Sequence, residues 1–431
     1  MFPSRKPARC AHRSFATTAT NPTGARIHLG WRFVLLGSAS LLAVPCHQAR
    51  AGLNSGPEFS ALQAIYTSTD GANWTDRTNW GSGDACSWFG ITCDQDATPG
   101  DNTSHVVQVY LSYNNLNGSI ADLTGLVALE DIQVDNNLLT GSIPVLTGLI
   151  SLRNFDIHAN QLTGSIPTLT GLAGLQYFSV DDNQLTGPIP ALVGLPNLHN
   201  FNAPRNQLTG AIPDLAGLTG LHKIDVNTNQ LTGSIPALTG LTGLSTFDVG
   251  YNQLTGSLPV LSDAIAMQYF FANNNRLTGA IPDPAGLTDL ALLAVDNNQL
   301  TGSIPALSGS TNLYYFGASN NQLTGSIPVL TGLVNVQYFD VHANQLTGNI
   351  PDLSGLDVLN DFYVGVNRLT GTVPLAPSSL VRATLCPNPL DTTSQPSIDP
   401  AWNVATAFTP WRENPFSNND CDDVFWGGFD S

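Results

Sequence analysis

From Leu123 to Leu375 one pattern of apolar and polar positions recurs every 23 residues, in eleven complete units. Residues 238–260, LTGLTGLSTFDVGYNQLTGSLPV, display it. Leucines at 238, 241, 244 and 254 are spaced for one face. The segment Thr246 to Gly250 alternates polar and apolar, which predicts a short strand with Phe247 and Val249 turned inward. A partial twelfth unit starts near His105. A fixed period of this length predicts a solenoid, each unit one turn stacked on the last, with the strands in a single parallel sheet. The expected fold is therefore an α/β repeat solenoid with one continuous core, not several globular domains.

Two polar columns are as regular as the leucines. Twelve asparagines, from Asn114 through Asn252 to Asn367, stand 23 residues apart. They fall where the chain leaves the strand, and an amide that both donates and accepts can bond the backbone of neighbouring turns there. That predicts a scaffold role. Threonines from Thr140 to Thr370 form a second column, in the Leu-Thr-Gly-x-Ile-Pro turn. A hydroxyl satisfying a local turn is the simpler expectation; a regular hydroxyl face matching a crystalline or polysaccharide surface is the alternative. The phenylalanines equivalent to Phe247 occur in eight of the eleven units and predict a stacked aromatic spine, which is core.

The ends read differently. Residues 1–51 hold seven basic residues and no acid, then the apolar run Phe33 to Val44 and Ala49-Arg50-Ala51. This reads as an export signal cleaved near Ala51, with an organelle transit peptide as the competing reading. Without it the chain carries 8 basic and 32 acidic residues, a net −24, which excludes nucleic acid and anionic lipid as partners. No mature segment has the length of a membrane span. Cys86 and Cys93 precede the repeats, and Cys386 and Cys421 follow them. Four cysteines allow three pairings, and local pairing at each end is favoured because a solenoid separates its ends. Both pairs fit an oxidising compartment. The expected organisation is a signal over 1–51, an N-terminal cap over 52–104, repeats over 105–375 and a C-terminal cap over 376–431. Phe59, Leu62, Ile65 and Tyr66 at helical spacing would close the first turn; Trp402 and Trp411 lie in the segment that would close the last.

The pattern L-x-x-L-x-x-L-x-L-x-x-N-x-L-T-G-x-I-P resembles the leucine-rich repeats, and Leu-Thr-Gly-Ser-Ile-Pro resembles their plant-type subclass. Residues 61–94 are similar to the N-terminal cap of those proteins, with Trp74, Trp80 and Trp88 at its tryptophan positions and Cys86 and Cys93 at its disulfide. The resemblance implies a secreted recognition protein, like polygalacturonase-inhibiting proteins and receptor-like kinase ectodomains, that binds through the concave strand face. The 23-residue period, where the plant form usually has 24, and the single cysteine pair after the repeats point towards a microbial relative.

Three columns on that face vary while the core columns do not. Acids dominate the early and middle units, among them Asp225 and Asp248. Aromatics gather later, as Tyr269, Phe271, Tyr315, Tyr338 and Tyr363, with Asp340 beside them. Rigid exposed tyrosines are good interface anchors, so these eight residues are the expected binding site for a protein partner with basic or hydroxyl-rich chemistry, a hydrolase or a cell-surface protein. The alternative is a structural protein that adsorbs to polysaccharide, cell wall or ice through the threonine column. No catalytic set, metal site or cofactor is expected: His158 falls near Asp181 and His342 near Asp340, without a nucleophile. The acidic loop from Asp94 to Asp101 lacks the spacing of a calcium loop. The expected location is extracellular, or the periplasm or cell surface in a bacterium.

Overall fold

The computed structural model describes residues 53–94, 104–391 and 396–407. The leader, the loop residues Asp96 and Asp101, Trp411 and Cys421 lie outside them, and with Cys421 lies the expected second disulfide. The repeats form one fourteen-stranded sheet. Its first strand, Ile91–Cys93, runs antiparallel to Val106–Tyr110; the rest are parallel. Strands are shorter than the alternation predicts, for instance Thr246–Asp248, because the chain turns immediately after the second outward residue. The last strand, Arg382–Thr384, lies beyond the regular repeats and pairs with Asp361–Tyr363.

Register is exact from turn to turn, so identical side chains meet. Phe247 opposes Phe270 and Phe316 opposes Phe339. Their rings stack at centroid distances of 5.5 Å and 5.3 Å. Ile224 and Leu293 interrupt the spine, and all of these side chains are buried. With the leucine columns they make one continuous core.

The asparagine column carries the ladder. In the middle of the coil, Asn252 Nδ2 donates to the carbonyls of Val226, Val249 and Gly250 at 3.0–3.2 Å, while its Oδ1 accepts from Leu231 N at 2.9 Å. Each rung thus ties its own turn to the preceding one. A further rung, Asn388, accepts from Leu369 N at 2.8 Å and donates to Val364 O and Leu385 O. It follows Asn367 by 388 − 367 = 21 residues, outside the fixed period. The residue before most rungs is left-handed even where it is β-branched or aromatic, as at Thr228, Tyr251 and Val366 with φ of 52° to 55°.

The Leu-Thr-Gly turns make a second set of parallel pairings along another side of the coil. Thr255 N donates to Gly233 O at 2.7 Å, and Thr255 Oγ1 reaches the same carbonyl at 3.3 Å. The same hydroxyl bond recurs at Thr163, Thr186, Thr278, Thr324, Thr347 and Thr370. This corrects the expectation of a local turn bond: the threonine hydroxyl joins one turn to the previous one, and its side chain stays exposed.

Helix Pro57–Ser68 closes the first turn with Leu62 and Ile65 buried. Trp74, Trp80 and Trp88 pack in sequence at 4.8 Å and 4.7 Å, and Cys86 is bonded to Cys93. Buried Glu58 accepts from Val106 N and contacts His105 Nδ1, both at 3.0 Å. At the other end helix Asp399–Thr406 places Trp402 over Phe362, with its Nε1 donating to Pro374 O at 2.9 Å.

Candidate functional site

A strand of three residues sends only its central side chain into the core, so the flanking two face the concave surface. Tyr315, Tyr338 and Asp361 are in-register neighbours in the first outward column; Gly317, Asp340 and Tyr363 are neighbours in the second. Tyr315 and Tyr338 stack face to face at 4.4 Å and 3°, and Tyr363 meets Tyr338 edge-on at 5.5 Å. These rings are half-buried against one another, not fully exposed. Tyr269 and Phe271 stand on strand Tyr269–Phe271, separated from the stack by the buried Leu292–Ala294 strand. The eight expected residues thus fall into three groups: the Tyr315 stack with Asp340, the pair Tyr269 and Phe271, and the acids Asp225 and Asp248.

Carboxylates surround the stack. Tyr338 Oη donates to Asp340 Oδ2 at 3.2 Å, and His342 Nδ1 lies 2.7 Å from Asp340 Oδ1. Tyr363 Oη donates to Asp361 Oδ1 at 2.9 Å, while Arg382 Nη2 donates to Asp361 Oδ2 at 2.9 Å. Burial, followed by the Asp340 charge, lifts the Tyr338 hydroxyl well above the ordinary tyrosine value. Asp296, which sequence reasoning did not single out, lies behind the stack. Its Oδ1 accepts from Ser319 N at 2.8 Å and Ser319 Oγ at 2.9 Å. Burial, with Asp340 second, pushes it up to about 7. The signal that could have revealed it is the glycine beside it: a Cβ at Gly317 would lie 2.4 Å from Asp296 Oδ2.

Asp225 and Asp248 are in-register neighbours bridged by Asn227 Nδ2, at 2.9 Å to each. Lys223 Nζ sits 3.1 Å from Asp225 Oδ2. Burial and then the Asp225 charge push Asp248 up to about 6. Both acids are half-buried.

Near the first turns His158 has acids on its own turn and on both neighbouring turns. Its Nδ1 is 2.7 Å from Asp156 Oδ1 and its Nε2 3.8 Å from Asp135 Oδ2, while Asp181 of the same column acts on it by charge. Asp156 and His158 both point outward two residues apart, and Asp135 and Asp181 flank His158 in its column on the turns before and after. One ligand atom from each lies within 4.8 Å of the others, a spacing a cation could bridge. Asn136 Nδ2 already bonds Asp135 Oδ2 at 2.9 Å and contacts His158 Nε2 at 3.0 Å, so the group is satisfied from within. Burial opposes the His158 cation, but the Asp156 hydrogen bond and charge prevail and raise its affinity for a proton.

Among the described residues no helix is long and apolar enough to cross a membrane. Residues 55–94 match the family model described as the leucine rich repeat N-terminal domain. No curated protein matches the chain in sequence. Many solved structures are similar to it, among them the following three. The plant peptide hormone receptor RGFR1 in complex with RGF2 is 34% identical over 64% of this chain and 46% of its own, with a TM-score of 0.61. PEPR1–AtPEP1 is 26% identical over 77% of this chain and 52% of its own, with a TM-score of 0.64. The Arabidopsis receptor kinase HAESA, in complex with the peptide hormone IDA and the co-receptor SERK1, is 27% identical over 78% and 66%, with a TM-score of 0.52. The chain spans about half the length of the first two. Period, ladder and cap agree with these likenesses: the chain has the leucine-rich repeat fold and resembles plant-type leucine-rich repeat proteins.

Proposed function

We propose that this protein is an extracellular recognition module, without chemistry of its own, whose concave face binds a cationic segment of a protein or peptide. The observation that carries the reading is the stack of Tyr315 and Tyr338 set among Asp296, Asp340 and Asp361. A guanidinium or ammonium group gains from the tyrosine faces and from the surrounding carboxylates at once, of which Asp361 is already paired with Arg382 and Asp340 bonded to His342. The rigid rings lose little freedom on contact. Among the similar structures RGFR1 is a peptide hormone receptor and HAESA is in complex with the peptide hormone IDA, which supports a peptide-sized partner. The disulfide Cys86–Cys93 supports an oxidising compartment. We place recognition on the concave face and not on the threonine column because seven of those hydroxyls donate to glycine carbonyls between turns.

Panning a displayed random peptide library against the secreted form tests this. The expected result is enrichment of Arg- and Lys-rich peptides whose binding weakens at least tenfold in the Tyr315→Ala, Tyr338→Ala double variant and at high salt. Acidic or neutral winners, or basic ones indifferent to the double variant, would refute it. Replacing several column threonines by Val should leave the winners' affinity unchanged; a loss there would move recognition to that side.

A further inference from the structure

The flank of the coil next to the tyrosine stack carries a niche of about 560 Å³. It is built from two columns that precede the strands. Gln268, Ala291, Tyr314 and Gln337 stand immediately before four consecutive strands, and their backbone ladder is unbroken, with each N–H bonding the previous carbonyl at 2.9 Å from Ala291 onward. Asp289, Asn312 and Asn335 stand two residues earlier. The gap comes from Ala291. Other turns place Arg153, Gln176, His199 or Tyr314 at that position, with Ser245 the other small residue, so the alanine leaves room between Gln268 and Tyr314.

The lining has one chemistry. It offers carboxamides, a single carboxylate and one phenol, with no cation and no aliphatic side chain beyond the alanine. Asn335 Nδ2 is fixed by a 2.9 Å bond to Thr311 O, which leaves its oxygen to the niche. Among the described residues the side chains of Gln268, Asp289, Asn312 and Gln337 make no hydrogen bond within the chain. Such groups both donate and accept, as vicinal hydroxyls do. Tyr314 is 37% exposed, and its ring offers an apolar face beside them. An anionic ligand would meet Asp289 and a chain of net negative charge with nothing to neutralise it, and a cationic one would find a single rim carboxylate. An apolar side chain would find no greasy pocket. The niche is shallow and open to solvent, so a ligand would lie across it with one face exposed.

We infer that this niche binds a neutral saccharide, with Tyr314 as the stacking face and the amides and Asp289 as hydrogen-bonding partners of its hydroxyls. The site is separate from the concave peptide surface, and each can fail without the other. The test titrates the full secreted chain with neutral gluco-, xylo- and manno-oligosaccharides of six units, and with hexagalacturonate as the anionic control, read by calorimetry and saturation-transfer NMR. The expected result is binding of at least one neutral series, with no binding of hexagalacturonate. Ala291→Phe fills the hollow, and the in-register Tyr314 shows that an aromatic fits that column. It should weaken binding tenfold or more at unchanged melting temperature. Tyr314→Ala should do the same, while Tyr177→Ala, far along the coil, should leave it intact. No binding of any neutral series, preference for hexagalacturonate, or undiminished binding by both niche variants would overturn the inference.

Discussion

Asp296 is costly to keep charged, because burial and the Asp340 carboxylate hold it near 7 while the same group titrates at 3.8 in the unfolded chain. Between about pH 4 and 7 the native state retains a proton that the unfolded chain has released. Stability therefore falls as pH rises through that window, and Asp248, lifted to about 6, adds in the same direction. Asp296→Asn keeps an oxygen for the Ser319 donors and removes the charge. It should raise stability at pH 8 by on the order of 2–4 kcal/mol, from a shift of about three units, and leave it unchanged near pH 4. Guanidinium denaturation at both values reads this, and an unaltered slope with pH would count against it. Residues of this kind were half legible in the sequence. The period assigned Asp296 to an outward column, but its lean over Gly317 depends on what the next strand lacks. The same limit hid the Asp156 and Asp135 contacts of His158, since spacing gives the column and not the rotamer.

At the scale of the turn, the ladder amide is the least replaceable group. Asn252→Ala deletes three donations to buried carbonyls and the acceptor for Leu231 N, and water reaches those groups poorly. The expected cost is about 2–4 kcal/mol, measured as a lower denaturation midpoint, and a change below about 1 kcal/mol would show that the ladder is ornament. The twelve regular rungs were legible because period alone places them. Asn388 was not, since its spacing of 21 breaks the period while its bonds reproduce the role. The left-handed residue before each regular rung was hidden for the opposite reason. Asn occupies it in several turns, but Thr228, Tyr251 and Val366 do so in others at the expense of backbone strain, so no residue type marks it. The second set of strand pairings was hidden too, because Thr and Gly read as turn formers when the neighbouring turn is ignored.

The whole coil is quasi-one-dimensional: each turn touches only its neighbours, and stability passes along it by nearest-neighbour contact. Regularity fixed the architecture from sequence with little loss, since an error in one turn would have repeated in all. The candidate site was less legible, because the periodic register defines columns but says nothing of which outward residues bury one another. A coil of this kind is vulnerable where a turn has one neighbour, and at the C-terminal end Trp402 stands in for the missing one. It is fully buried over Phe362 and anchored to Pro374 O. Trp402→Ala opens a cavity at the end of the aromatic spine, a loss of about 3–5 kcal/mol in a well-packed core. Because neighbours alone are coupled, that loss should appear as local opening. Hydrogen exchange should accelerate first in Arg382–Thr384, then in Asp361–Tyr363, while Asn154–Asp156 keeps its protection. If protection fell evenly along all the strands, the coil would behave as one cooperative unit and the nearest-neighbour description would fail.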